Sequence, residues 1–115
     1  VAGEKEKESD VSILFFGDMM LDRAVKDQID IVGFEGLLGG LAGEESRFFN
    51  GMDVMHVNLE GPFTAERKEV SKPLSFSFDP GLVSSLRESN IGMVSLANNH
   101  SYDMGEDGFQ ETKCI

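Results

Sequence analysis

Cysteine is nearly missing from this sequence, Cys114 being the only one among 115 residues. A lone thiol cannot form an internal disulfide or supply a cysteine-based zinc site. It leaves the redox compartment open, and it lies too near the end to be a prenylation signal. Long apolar runs are missing too. The longest, Val11 to Gly17, falls far short of the roughly 18 apolar residues that a membrane helix requires, so no membrane span is expected in this segment. Basic residues are scarce: ten Lys and Arg stand against twenty-one Asp and Glu, a formal charge of -11. Nucleic-acid affinity rests on neutralising phosphates with such bases, so no nucleic-acid partner is expected. The first residue is Val1 and no apolar signal-peptide core follows, so the N-terminus reads as processed or cut, with any anchor left out.

What is present suffices for one globular unit at most. Hydrophobic residues make up 40%, with nine Phe and six Met, enough apolar material to pack a core despite the charge. The excess of carboxylates suits a protein that holds divalent cations, and it equally suits a plain acidic surface. Part of it lies in Val1 to Asp10, where four acids and two bases without apolar periodicity read as a disordered charged tether. The folded unit is expected over residues 11–115.

Val11 to Phe16 is a nearly continuous apolar run ending in Gly17-Asp18, the pattern of a strand buried on both faces in a parallel α/β sheet. Leu21, Ala24, Val25 and Ile29 then recur near helical spacing, which predicts an amphipathic helix over Met20 to Asp30. The glycine-rich stretch from Ile31 to Gly51 reads as loops around one or two short helical pieces. Asp53 to Val57 predicts a second strand, closed by Asn58-Leu59-Glu60-Gly61-Pro62. After a polar loop from Thr64 to Lys72, alternation of Leu74, Phe76 and Phe78 with Ser75 and Ser77 suggests an extended element with one wet face. Asp79-Pro80 predicts a helix start, with Asp as N-cap and Pro at the first helical position, and the helix should end near Ser89-Asn90. Ile91 to Leu96 reads as a third buried strand, and a last helix opens beyond Gly105. The order β-α-β-(β)-α-β-α implies a parallel sheet with right-handed crossovers.

Ligands of such sheets bind beyond the carboxyl ends of the strands. The three strands here run into Asp18, into Asn58 with Glu60, and into Asn99 with His100. Two carboxylates, two amides and an imidazole would therefore collect on one side, as donors for a divalent cation such as Mg²⁺, Mn²⁺, Fe²⁺ or Zn²⁺. Each also has a plainer reading. Asp18 could cap a helix, Asn58 and Glu60 could build the turn at Gly61-Pro62, and Asn98 and Asn99 could supply left-handed turn conformations. His100 could be a surface histidine, although its neighbours favour a ligand or proton donor, with Asp103 behind it. His56, inside a strand, reads as a hydrogen-bonded structural residue. Arg23, one helical turn beyond Asp18, could reach an anionic substrate or simply face solvent. Glu66 to Glu69 reads as a solvated loop.

Three motifs in this order, Gly17-Asp18-Met19-Met20-Leu21-Asp22-Arg23, Asn58-Leu59-Glu60-Gly61-Pro62 and Ser95-Leu96-Ala97-Asn98-Asn99-His100 with Asp103-Met104-Gly105 and Thr112, give a further lead. Over about Val11 to Ile115 the chain resembles the bacterial capsule synthesis proteins of the CapA type, the poly-γ-glutamate biosynthesis family that includes PgsA. That family is similar to the calcineurin-like metallophosphoesterases. The resemblance implies a metallophosphatase-like fold with a one- or two-metal centre. Asp18, Asn58, Glu60, Asn99 and His100 would be metal ligands, and His100, Asp103 and Arg23 catalytic residues. The substrate would be poly-γ-glutamate or a phosphate ester. The resemblance further implies other capsule synthase subunits as partners and a place on the outer face of the bacterial membrane, anchored by a segment outside this chain. Met20 stands where the phosphoesterases have a ligand histidine, and a later Gly-His-x-x-His type motif is missing, so the chain is expected to be the N-terminal half of the domain. Two functions follow: a metal-dependent hydrolase, or a non-catalytic assembly or export subunit that keeps the fold and binds cations.

Overall fold

A computed structural model of the chain describes residues 9–43 and 47–115. Of the expected tether, residues 1–8 lie outside the described residues, while Ser9 and Asp10 are exposed and without regular structure. The elements are β1 (Ile13–Met19), α1 (Arg23–Ala42), α2 (Arg47–Asn50), β2 (Val54–Leu59), α3 (Leu82–Glu88), β3 (Ile91–Ser95) and α4 (Gly105–Cys114). The strands form one parallel sheet in the order β1-β2-β3. The chain is thus an α/β unit of the expected class, a three-stranded parallel segment compatible with part of a metallophosphatase-like domain.

One sheet face carries the core. Met55, Val57 and Leu59 of β2 alternate onto it and are buried. They meet Ile29 and Phe34 of α1, Leu86 of α3 and Ile91 of β3. Helices α1 and α3 touch each other, so both crossovers cover this same face. The opposite face is open among the described residues: Phe15 is 66% and Met93 46% exposed. Here the expectation that the first and third strands are buried on both faces is corrected. An apolar run looks the same whether one layer or two cover it, and the consecutive order β1-β2-β3 places both crossover helices on one side.

The elements also differ in extent from those read in the sequence. Strand β1 runs on through Gly17 and Asp18 to Met19, and β2 through Asn58 to Leu59. Helix α1 continues through most of the glycine-rich stretch, because Phe34, Leu37 and Leu38 sustain its apolar stripe against the core. In its interior Gly33 leaves helical geometry, at φ 76 and ψ 162, and the helix kinks there. Helix α3 starts at Leu82 rather than at Pro80; Asp79 Oδ1 accepts from the Gly81 N–H at 2.8 Å, one residue before the helix. The alternating serine and phenylalanine stretch forms only a parallel bridge, Phe63 to Phe78, and Ser75 is buried rather than wet.

Two irregularities in register decide what the sheet presents at its carboxyl edge. Phe15 lies opposite His56, yet Asp18 lies opposite Asn58, so β1 holds one extra residue between them. Without it, Asp18 would fall opposite Leu59 and point into the core, since a one-residue slip reverses every side chain. A second extra residue in β3, around Gly92, likewise brings Ser95 opposite Asn58. The bulges therefore put Asp18, Asn58 and Ser95 on one face at the ends of the strands.

Beyond β2, the close approach of the returning chain requires Gly61. A Cβ there would lie 2.7 Å from Phe78 Cζ and 2.9 Å from Phe76 Cβ. Replacing it should force both rings aside, and overpacking of this kind costs roughly 1–3 kcal/mol. The Gly61→Ala variant is predicted to lose about that much in urea unfolding; an unchanged midpoint and slope would contradict the packing described.

Candidate functional site

A chain of side-chain hydrogen bonds crosses all three strand ends. Asn58 Nδ2 donates to Asp18 Oδ1 at 2.7 Å and to Glu60 Oε2 at 2.6 Å. Asn58 Oδ1 accepts from Asn98 Nδ2 at 3.0 Å, and Asn98 Oδ1 accepts from the His100 N–H, also at 3.0 Å. Asn98 Nδ2 further donates to the Leu59 carbonyl, which ties the β3 exit to the β2 exit. The plain turn reading of Asn98 is therefore too modest: its side chain couples the second and third motifs. Asn99 is exposed, and its carbonyl accepts from Lys72 Nζ at 3.0 Å.

His100 is buried, and its Nδ1 lies 2.6 Å from Asp103 Oδ2. An ionised carboxylate only accepts, so Nδ1 carries the proton and Nε2 is the nitrogen left for a ligand or a proton. Asp103 also accepts from Lys72 Nζ at 2.7 Å and from the Phe76 N–H at 2.7 Å. Burial pushes the Asp103 carboxyl up, but the bonds from Lys72, His100 and Phe76 outweigh it and hold the group below its ordinary range. The His100 ring packs on Phe76 with centroids 4.4 Å apart. Arg23 places its guanidinium 5.7 Å from the centre of that same ring, close to the site but bonded to none of its carboxylates among the described contacts. Its backbone sits at φ 55, in the left-handed region.

The strain at Arg23 is held by its neighbour. Asp22, buried at the start of α1, accepts from the Arg23 N–H at 2.7 Å, from Arg67 Nη1 at 2.5 Å and from the Ser77 N–H at 3.0 Å. Burial raises its pKa, and these donors more than compensate, so it too titrates below the usual carboxylate range. Arg67, part of the run expected to be a solvated loop, is thus tied down. Charge alone gave no sign of that, because its acid partner is 45 residues away in the chain. His56 departs in the other direction. Its Nδ1 is buried without a hydrogen-bond partner and its ring lies against Phe15, 5.1 Å between centroids, because it faces the apolar open side of the sheet.

Among the described residues no three His, Cys, Asp or Glu side chains stand close enough together to form a metal site by themselves. The donor set that fits a hard cation is a mixed one, with the Asp18 and Glu60 carboxylates gathered on the Asn58 amide. Neither carboxylate pairs with a Lys or Arg among the described residues. Bringing two like charges together with only an amide between them leaves a site that a cation would complement.

This is a parallel α/β unit whose polar strand-end side chains converge on the carboxyl edge of its sheet. Residues 12–113 match the family model described as bacterial capsule synthesis protein PGA_cap, and the chain belongs to that family. It is 26% identical over 104 residues to the PGA biosynthesis protein CapA of Bacillus subtilis (strain 168), a match covering 89% of this chain and 26% of that protein. It is equally 26% identical, over 117 residues, to the capsule biosynthesis protein CapA of Bacillus anthracis, covering 97% of this chain and 28% of the relative. The chain thus spans about a quarter of the length of the curated relatives it matches. No solved structure matches it. Among the described residues no helix is long and apolar enough to cross a membrane.

The depressed Asp22 carboxyl sets a pH dependence with a definite sign. A group whose folded pKa lies below its unfolded value of about 3.9 stabilises the fold above that value, and the contribution is lost as pH falls through the folded pKa. Asp22→Asn should therefore be less stable at neutral pH by roughly 1–3 kcal/mol, the cost of leaving buried donors poorly matched. Its urea-unfolding free energy should also fall less steeply than the wild type's below about pH 4. Parallel pH profiles for the two proteins would contradict this.

Proposed function

We propose that this chain carries the cation-binding edge of a metal-dependent, phosphoesterase-like hydrolase that acts in poly-γ-glutamate capsule biosynthesis or export. The observation that supports this reading is the hydrogen-bond chain from Asp18 through Asn58 and Asn98 to His100. It links the residues of three separate motifs at the edge where ligands of parallel sheets bind. Asp18, Asn58 and Glu60 would hold a divalent ion, Mn²⁺, Mg²⁺, Fe²⁺ or Zn²⁺, with Asn99 and His100 as further ligands, and a second ion would follow the pattern of two-metal sites. Such a cation, when bound, polarises a substrate oxygen and lowers the pKa of a bound water.

The chain's own residues do the remaining work. Asp103 fixes the His100 tautomer with Nδ1 protonated, so that Nε2, where it is not itself a ligand, can give or take a proton at the reacting oxygen. Arg23, beside the Phe76 and His100 rings, would orient an anionic group. The substrate would be a phosphate ester or the γ-glutamyl linkage of the polymer, delivered outside the cell by other synthase subunits and by an anchor outside this chain. A polyanion approaching this segment, of charge -11, is repelled, so bound cations or positive charge from outside this chain would have to admit it.

One observation favours the second reading, a non-catalytic assembly or export subunit that binds cations. The described residues contain no self-sufficient set of three metal-ligating acids or histidines, which is sparse for a hydrolytic centre. Calorimetric titration of Mn²⁺ into the intact protein, with a hydrolysis assay beside it, separates the two. Asp18→Ala and Glu60→Ala are each predicted to weaken binding at least about tenfold, and His100→Ala to slow hydrolysis of a model phosphate ester roughly 100-fold or more. Mn²⁺ binding with no cleavage of either an ester or polyglutamate would replace the hydrolase with the assembly role. Failure to bind Mn²⁺ would sink both.

A further inference from the structure

The connection between β2 and α3 doubles back on itself. Its base is closed by the Phe63 to Phe78 bridge, with the Thr64 and Ser77 hydroxyls 2.7 Å apart. From that base the loop is fastened at two places. Arg67 binds Asp22 at the first motif, and Lys72, with the Phe76 N–H, binds Asp103 at the third. Lys72 reaches further than an ordinary surface ion pair. Its partner Asp103 is 1% exposed at the side chain, and the same ammonium also donates to the Asn99 carbonyl. Its distance of 3.5 Å to His100 Nδ1 is a contact between two donors and adds no bond.

We infer that Lys72 is a positioning residue of the candidate site, fixing both the His100 ring and the Asn99 backbone from outside their own loop. Asp103 Oδ2 is shared by the His100 ring and the Phe76 N–H, while Lys72 takes Oδ1 and so sets the rotation of the carboxylate. Removing the ammonium takes away the bond that fixes Oδ1, leaving the carboxylate to turn about its two Oδ2 contacts, and it releases the Asn99 carbonyl as well. Partners lying behind metal-binding and catalytic groups commonly change affinity or activity 10- to 100-fold when removed. Nothing in residues 64–72 signals this in sequence, where Lys72 is one charge in a polar loop. The effect on a metal rests on the cation-binding reading above, whereas the effect on the ring does not.

The test uses the intact protein and Lys72→Met, with Lys72→Arg as the conservative variant and Lys68→Met as control. Lys68 pairs with Asp107 in an exposed contact, with side chains 51% and 89% accessible. In metal-free protein labelled with ¹⁵N-histidine, His100 should show a single Nδ1–H tautomer in wild type, Lys72→Arg and Lys68→Met, and a tautomer mixture in Lys72→Met. Mn²⁺ affinity, measured beside the melting temperature, should drop about 10- to 100-fold in Lys72→Met at nearly unchanged melting, and recover in Lys72→Arg. A His100 spectrum in Lys72→Met identical to wild type overturns the inference. So does a loss of affinity that Lys68→Met reproduces. If Asp18→Ala leaves Mn²⁺ affinity untouched, the cation reading has failed, and the ring spectrum alone decides the role of Lys72.

Discussion

The carboxyl edge of this sheet hangs on one side-chain amide. Asn58 uses its nitrogen to hold Asp18 and Glu60 and its oxygen to hold Asn98, and through Asn98 it fixes the backbone that carries His100. An amide suits this position because it donates and accepts at once, which neither a carboxylate nor an ammonium can do. Asp18 and Ser95 lie opposite that amide because β1 and β3 each hold one extra residue in register. Two small irregularities of backbone thus turn three strand ends toward one another.

The second constraint comes from the loop after β2. Asp22 and Asp103 are both buried, and each keeps its charge by accepting several hydrogen bonds from that loop. A buried carboxylate without such donors would be costly, so the two acids in effect dictate where the loop lies. The loop in turn packs Phe76 between Arg23 and His100. The chain's charge of -11 is therefore unevenly used. A few acids organise the edge, while others, such as Asp30 and Asp107 in their exposed pairs with Lys26 and Lys68, belong to solvated surface.

Much of this was legible in the sequence, for a physical reason. An apolar run that breaks into Gly17-Asp18, or into Asn58-Leu59-Glu60-Gly61-Pro62, marks a strand end whatever surrounds it, so Asp18, Asn58, Glu60 and His100 could be placed on one edge. The Asp103 support of His100 was legible too, because the two lie three residues apart. Contacts between residues distant in the chain were not. Lys72 and Arg67 look like any charges in a polar loop until the fold brings Asp103 and Asp22 beside them. The sequence pattern cuts helix α1 short because its glycines hide the stripe of Phe34, Leu37 and Leu38 that keeps it on the core. Periodicity gives no sign of the open face, since it records that a residue is apolar, not whether a second layer reaches it.

The most direct measurement of the central claim is a crystal structure of the intact protein grown with Mn²⁺, with diffraction recorded at the manganese edge. The account predicts an anomalous peak in direct contact with carboxylate oxygens of both Asp18 and Glu60, roughly 2.0–2.2 Å from them. It also predicts that the Asn58 nitrogen no longer bridges the two acids. A fully ordered edge that keeps the Asp18, Asn58 and Glu60 hydrogen bonds, with manganese absent or found only on remote surface acids, would contradict it.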